Sequence, residues 1–164
     1  MIFHLEMCVR ADFRPGDFPP GFHVSTVAPP DPAQNRSLYQ AVGGDWEWTD
    51  KLAWTEDDWR GYVCRDALTT HVGYLDGREA GYFELESQDG GNVEIACFGL
   101  LPGFIGKGLG GALLSAAVGC AWGLPGTKRV WVHTCTQDHE HALANYLKRG
   151  FTVFQQTASQ GSHS

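Results

Sequence analysis

At 164 residues with 43% hydrophobic side chains, the chain has the length for one domain with a substantial core. Twelve basic against 19 acidic residues give a net charge of −7, which excludes the basic patches that hold nucleic acid or membrane surfaces. Five cysteines (Cys8, Cys64, Cys97, Cys120 and Cys135), odd in number and never paired as C-x-x-C, exclude a disulfide framework and a zinc ribbon and point to a reducing cytoplasm.

In chain order, Ile2–Met7 reads as a short strand, and its surroundings lack the basic and long apolar regions of a signal peptide. Pro15, Pro19 and Pro20 break the segment after it. Phe22–Val27 alternates weakly as a second strand. Asp31 before Pro32 forms an N-cap and first helical position, opening a helix to about Val42 that buries Leu38 and Ala41. Thr55-Glu56-Asp57-Asp58 starts a second helix that runs to about Cys64. Strands follow at Thr70–Asp76 and Glu79–Glu86, joined by the hairpin signal Asp76-Gly77. Asp89-Gly90-Gly91 turns into a strand at Asn92–Leu101. Beyond it come a glycine loop, a helix, the strand Arg129–Cys135, a helix from near Asp138 and a last strand. The polar tail, 156–164, is expected to be flexible. The pattern predicts an α+β, three-layer α/β/α fold. Its sheet is mixed and mostly antiparallel, with six or seven strands and about four helices.

The loop LLPGFIGKGLGGALL, Leu100 to Leu114, joins an apolar strand to a helix N-terminus. Glycines there let an anion approach unpaired backbone N–H groups. A Walker A loop fails, because Gly106-Lys107 is followed by Gly108 and not by Ser or Thr. The dinucleotide fingerprint is met literally by Gly106, Gly108 and Gly111, but no carboxylate ends the next strand. The remaining reading is the Q/R-x-x-G-x-G/A pyrophosphate loop of acetyl-CoA-dependent acyltransferases, with Ile105, Gly108 and Gly110 on its positions. Downstream, HEHALANYLKRGF (His139–Phe151) carries Ala142, Tyr146, Gly150 and Phe151 in the register N-x-x-A-x-x-x-Y-x-x-x-G-F.

With these two motifs in this order the chain resembles the GNAT N-acetyltransferases, clearly so from Gly81 to Phe154. It departs from the family at Ile105, where Arg or Gln is usual, and at His139, where Asn is frequent. Lys107 offers a charge beside Ile105. The resemblance implies a single N-acetyltransferase domain over 1–164, with its cofactor-binding core at about 81–154. It implies acetyl transfer from acetyl-CoA to a primary amine, directly in a ternary complex. The alternative is a catalytically weak domain that binds CoA or acyl-CoA as a sensor or partner module.

The resemblance also assigns roles. Cofactor contacts fall on Phe98, Gly99, Leu100, Ile105, Gly106, Lys107, Gly108, Leu109, Gly110, Gly111, His139 and Tyr146. Tyr146 protonates the leaving thiolate, since a phenol is a protonated donor at neutral pH. Glu94 is the candidate base, with a water chain served by Glu84 or Glu86 as the other route. Phe98 or Gly99 would donate a backbone N–H to the thioester carbonyl where a β-bulge splays the strand. Trp46, Trp48 and Trp54, with Glu84, are candidates for the acceptor site. The tryptophans and nearby acids (Glu56, Asp57, Asp58) either enclose a cationic amine or pack helices on the sheet. His133, His139 and His141 lack the convergence of a metal site, so no metal is expected. The acceptor is a small-molecule or peptide amine, with no nucleic-acid or membrane partner, and the protein is expected as a monomer or homodimer.

Overall fold

A computed structural model of the chain describes residues 1–43, 48–135 and 142–158. Among them the strands are β1 (Ile2–Met7), β2 (Phe22–Thr26), β3 (Leu68–Leu75), β4 (Arg78–Gln88), β5 (Asn92–Leu100), β6 (Arg129–Cys135) and β7 (Thr152–Thr157). The helices are α1 (Pro32–Gly43), α2 (Glu56–Val63), α3 (Leu109–Gly123) and α4 (Ala142–Lys148). The strands form one mixed sheet in the order β2-β3-β4-β5-β6-β1-β7, in which only β5 and β6 pair in parallel. Among the described residues no helix is long and apolar enough to cross a membrane.

Local chemistry accounts for most elements. Gln34 N–H donates to Asp31 Oδ1 at 3.3 Å as α1 begins. The buried stripe of α1 is Asn35, Leu38, Tyr39 and Val42, at helical spacing. Ala41 was expected inside but faces solvent, because it lies to one side of a stripe centred between Asn35 and Val42. A capping box opens α2: Asp58 N–H donates to Thr55 Oγ1 at 3.1 Å, and Thr55 N–H donates to Asp58 Oδ2 at 2.9 Å. At the β3–β4 hairpin, Asp76 and Gly77 take φ of 52° and 81°, the conformation that an Asp-Gly pair favours.

Each face of the sheet has its own core. On one side α1 and α2 bury Leu38, Tyr39, Val42, Trp48, Trp59 and Val63 with Val72, Tyr82 and Cys97. On the other, the small-residue helix α3 packs Leu109, Leu113, Leu114 and Val118 on Phe83, Leu85, Ile95 and Val130, with Tyr146 of α4. β1 is an interior strand: it is antiparallel to both β6 and β7, and its Leu5 and Met7 are fully buried. β7 forms the outer edge, with most of its side chains exposed.

Candidate active site

β5 and β6 pair at only three positions, ending at Glu94 opposite Trp131, and then diverge. Two residues further, Ala96 has no counterpart on β4, since Leu85 pairs with Ile95 and Glu84 with Cys97. This bulge reverses the strand's phase. Ile95 faces the α3 core and Cys97 the α1–α2 core. The gap between the strands is a cavity of about 430 Å³, walled by Ala96–Leu100 of β5, Val132–Thr134 of β6, and Asn145 and Tyr146 of α4.

The glycine loop closes one end. Gly106 and Gly108 have φ of 85° and 77°, a region strained for any residue with a side chain. A Cβ on either would meet no protein atom within 4 Å, so it would project into open space. Gly108 is the N-cap residue of α3, whose first N–H groups lack intrahelical partners. Asn145 Nδ2 donates to Gly110 O at 3.1 Å and fastens α4 to this turn. Ile105, Gly106, Gly108, Leu109, Gly110 and Gly111 all line the cavity. Lys107 is exposed and outside that lining. A backbone cradle of this kind, at the start of a 15-residue helix, fits a pyrophosphate.

The model of the acetyltransferase (GNAT) family matches residues 34–151, well over half of the chain. The chain belongs to the GNAT acetyltransferase family. Family members are acetyltransferases on a fold that binds acetyl-CoA. No curated protein matches the sequence. Among solved structures, a GCN5-related N-acetyltransferase from Kribbella flavida is 19% identical with a TM-score of 0.67, over 92% of this chain and 53% of that one. An IAA acetyltransferase from Bacillus cereus is 25% identical with a TM-score of 0.62, over 82% of this chain and 79% of that one. AAC(6')-Iy, solved with the bisubstrate analogue CoA-S-monomethyl-acetylneamine, is 15% identical with a TM-score of 0.63, over 87% of this chain and 99% of that one. The present GNAT chain thus spans about half the length of the Kribbella flavida protein.

Within this GNAT fold, Tyr146 is 5% exposed and lines the cavity, its ring 6.1 Å from Phe98 and 5.9 Å from Phe151. Phe98, Gly99 and Leu100 also line it. Glu94 does not. Its carboxylate accepts from Gln88 Nε2 at 3.0 Å and lies 3.5 Å from His133 Nδ1. His133 is the cavity-lining member of that pair. Alternation along β6 carried the signal for His133, since Val130 and Val132 turn to the core and Trp131 and His133 to the opposite face. Its partner became visible only with the strand pairing. Burial, then the His133 charge, hold the neighbouring His4 below the ordinary imidazole value, with Glu94 opposing.

On the α1–α2 side, Trp48 lines the cavity, whereas Trp54 stands behind it, against Trp59 and Tyr62. Trp46 and His139 lie outside the described residues. Two of the acids expected near the tryptophans are engaged elsewhere: Asp57 pairs with Arg60 at 2.9 Å, and Asp58 caps α2. Glu84 is 1% exposed and sits on β4 across from Cys97, which lines the cavity, but is not itself in that lining. Its carboxyl group accepts from Asn35 Nδ2 at 2.8 Å and from Tyr62 OH at 2.7 Å. Burial and the Glu84 charge push the Tyr62 phenol well above its usual range, so it stays a donor. Burial, reinforced by Glu84, also pushes up the Cys97 thiol, which argues against a nucleophilic cysteine at the cavity wall.

Proposed function

We propose that the chain is an acetyl-CoA-dependent N-acetyltransferase, acting as one domain, that passes an acetyl group directly to a primary amine. The observation that carries this is a single cavity bounded by the glycine cradle, Tyr146 and His133. Bound acetyl-CoA would supply an acyl group already activated as a thioester. Backbone N–H groups from Ile105 to Gly111 would hold its pyrophosphate. Backbone groups of Phe98, Gly99 and Leu100, past the bulge and without β6 partners, would align the pantetheine and polarise the carbonyl. Tyr146 would give its proton to the departing thiolate.

The base reading shifts by one contact. His133 would take the proton from the acceptor, and Glu94 would orient the imidazole. Catalytic hydrogen bonds are often long before substrate binds, and the 3.5 Å separation agrees with that. Scattered cysteines fit a reducing cytoplasm as the place of action.

The test is release of free thiol from acetyl-CoA with a panel of primary amines, beside thermal unfolding with and without acetyl-CoA. A raised melting temperature with thiol release on at least one amine is expected. No thermal shift at saturating acetyl-CoA defeats the reading. A shift without release on any amine replaces it with a GNAT-fold acyl-CoA sensor.

A further inference from the structure

Lys51, in the segment that leads into α2, carries its ammonium among aromatic rings. Its Nζ lies 5.4 Å from the ring centre of Tyr39, 5.3 Å from that of Trp54 and 5.3 Å from that of Tyr62. All three are within cation–π range. An exposed lysine ordinarily lays its stem on apolar surface and keeps the ammonium in water. Here rings from α1, the connecting segment and α2 converge on one cation.

The rings are fixed in place. Tyr39 meets Trp59 edge-on at 5.7 Å, and Trp54 meets Trp59 and Tyr62 at 5.0 and 5.3 Å. Tyr39 OH accepts from the Lys51 backbone N–H at 3.2 Å. The Tyr62 hydroxyl donates to Glu84, which leaves more electron density on the ring and strengthens its hold on a cation. Tyr62 also meets Arg65 at 5.0 Å, but that guanidinium is paired with Glu86 at 2.7 Å. The box adjoins the acyl cavity. Trp48, 5.5 Å from Tyr39, and Cys97, directly across from Glu84, line that cavity.

We infer that the Tyr39–Trp54–Tyr62 box is an ammonium subsite for the acceptor, and that Lys51 is its internal occupant. The inference rests on the acyltransferase reading above. Ring faces stabilise the charged form, so an amine held in the box keeps its proton and is no nucleophile. The box therefore anchors a second, non-reacting ammonium while another amine of the same molecule meets the thioester. That makes the acceptor class a diamine or polyamine, which must displace Lys51.

The experiment measures binding of 1,4-diaminobutane at neutral pH by tryptophan fluorescence, in the absence of acetyl-CoA, with 1,4-butanediol as the neutral counterpart. Lys51→Met and Lys51→Gln are expected to bind the diamine roughly tenfold tighter than the parent, with the diol bound by none. Adding Trp54→Leu to Lys51→Met should remove the gain. Should either correctly folded Lys51 variant match the parent, or the diol bind as well as the diamine, the inference is overturned. Loss of the acetyl-CoA thermal shift would instead indict the cofactor cradle, which this measurement does not involve.

Discussion

His133 Nδ1 stands 3.5 Å from Glu94 Oε2, beside the last rung at which β5 and β6 still pair. The contact spans the apex of the cleft and joins its two walls. It divides the work between a residue that faces the cavity and one that does not.

That division has a kinetic signature. His133→Ala should lower kcat/KM by about 10² or more, since it removes the group that accepts the proton. Glu94→Gln keeps the shape and loses the contact's charge, so a smaller fall in kcat/KM than in His133→Ala is expected. Among the described residues, the titratable groups facing His133 are Glu94 and His4, whose ring centre is 5.9 Å away. Steady-state pH series on the parent and both variants decide the assignment. A parent-like profile in His133→Ala returns the base role to Glu94 or to a water chain.

The cradle can be tested without turnover. Gly108→Val places a branched side chain at φ 77° and into the open mouth of the loop. At a hundredfold excess over Kd a ligand stabilises its folded host by about 2.7 kcal/mol. Thermal scans should show that gain with acetyl-CoA in the parent and its loss in Gly108→Val.

Tyr146→Phe deletes one hydroxyl and keeps the ring against Phe98 and Phe151. Turnover should fall by about 10² while calorimetric CoA affinity holds, because the proton is needed only as the thiolate leaves. Parent-like turnover would reduce Tyr146 to packing.

His71 supplies a stability prediction. It is buried in β3, stacked on Phe83 at 4.7 Å, with its ring nitrogens 3.0 Å from Thr26 and Thr69 hydroxyls. Burial lowers its pKa to about 4 from the ordinary 6.5. Between those values the unfolded chain binds more protons. Stability is therefore full above about pH 6.5, falls as pH drops, and levels off below about pH 4. The whole step is about 3 kcal/mol. Urea unfolding at pH 7 and pH 4.5 should show a larger loss in the parent than in His71→Gln.

What could be read from the residues was local. The glycine loop, the Asp76-Gly77 hairpin and the Thr55 cap each need only a few neighbouring side chains. The capping box in particular shows where the Asp58 carboxylate is engaged, at the start of α2. The site's other half depends on register. Nothing near Glu94 in the sequence announces His133, and nothing near Lys51 announces Tyr39 and Tyr62. Those contacts exist because a parallel pair ends early and because α1 and α2 pack face to face. The place of β1 was illegible for the same reason, since a short apolar strand carries no mark of its distant partners.

That placement has a consequence for how the cleft is assembled. β1 must find β6 and β7, elements at the other end of the chain: Ile2 pairs with Cys135 on one side and Thr157 on the other. Of the strands it emerges earliest during synthesis and acquires its neighbours last. Until then an apolar strand waits with both edges open, and the β6 wall that carries His133 has no outer support. Such long-range closure slows folding and leaves sticky edges exposed. The cleft wall thus depends on the most sequence-distant pairing in the sheet, and a lesion in β1, far from any reacting atom, is expected to surface as poor yield before it surfaces as poor chemistry.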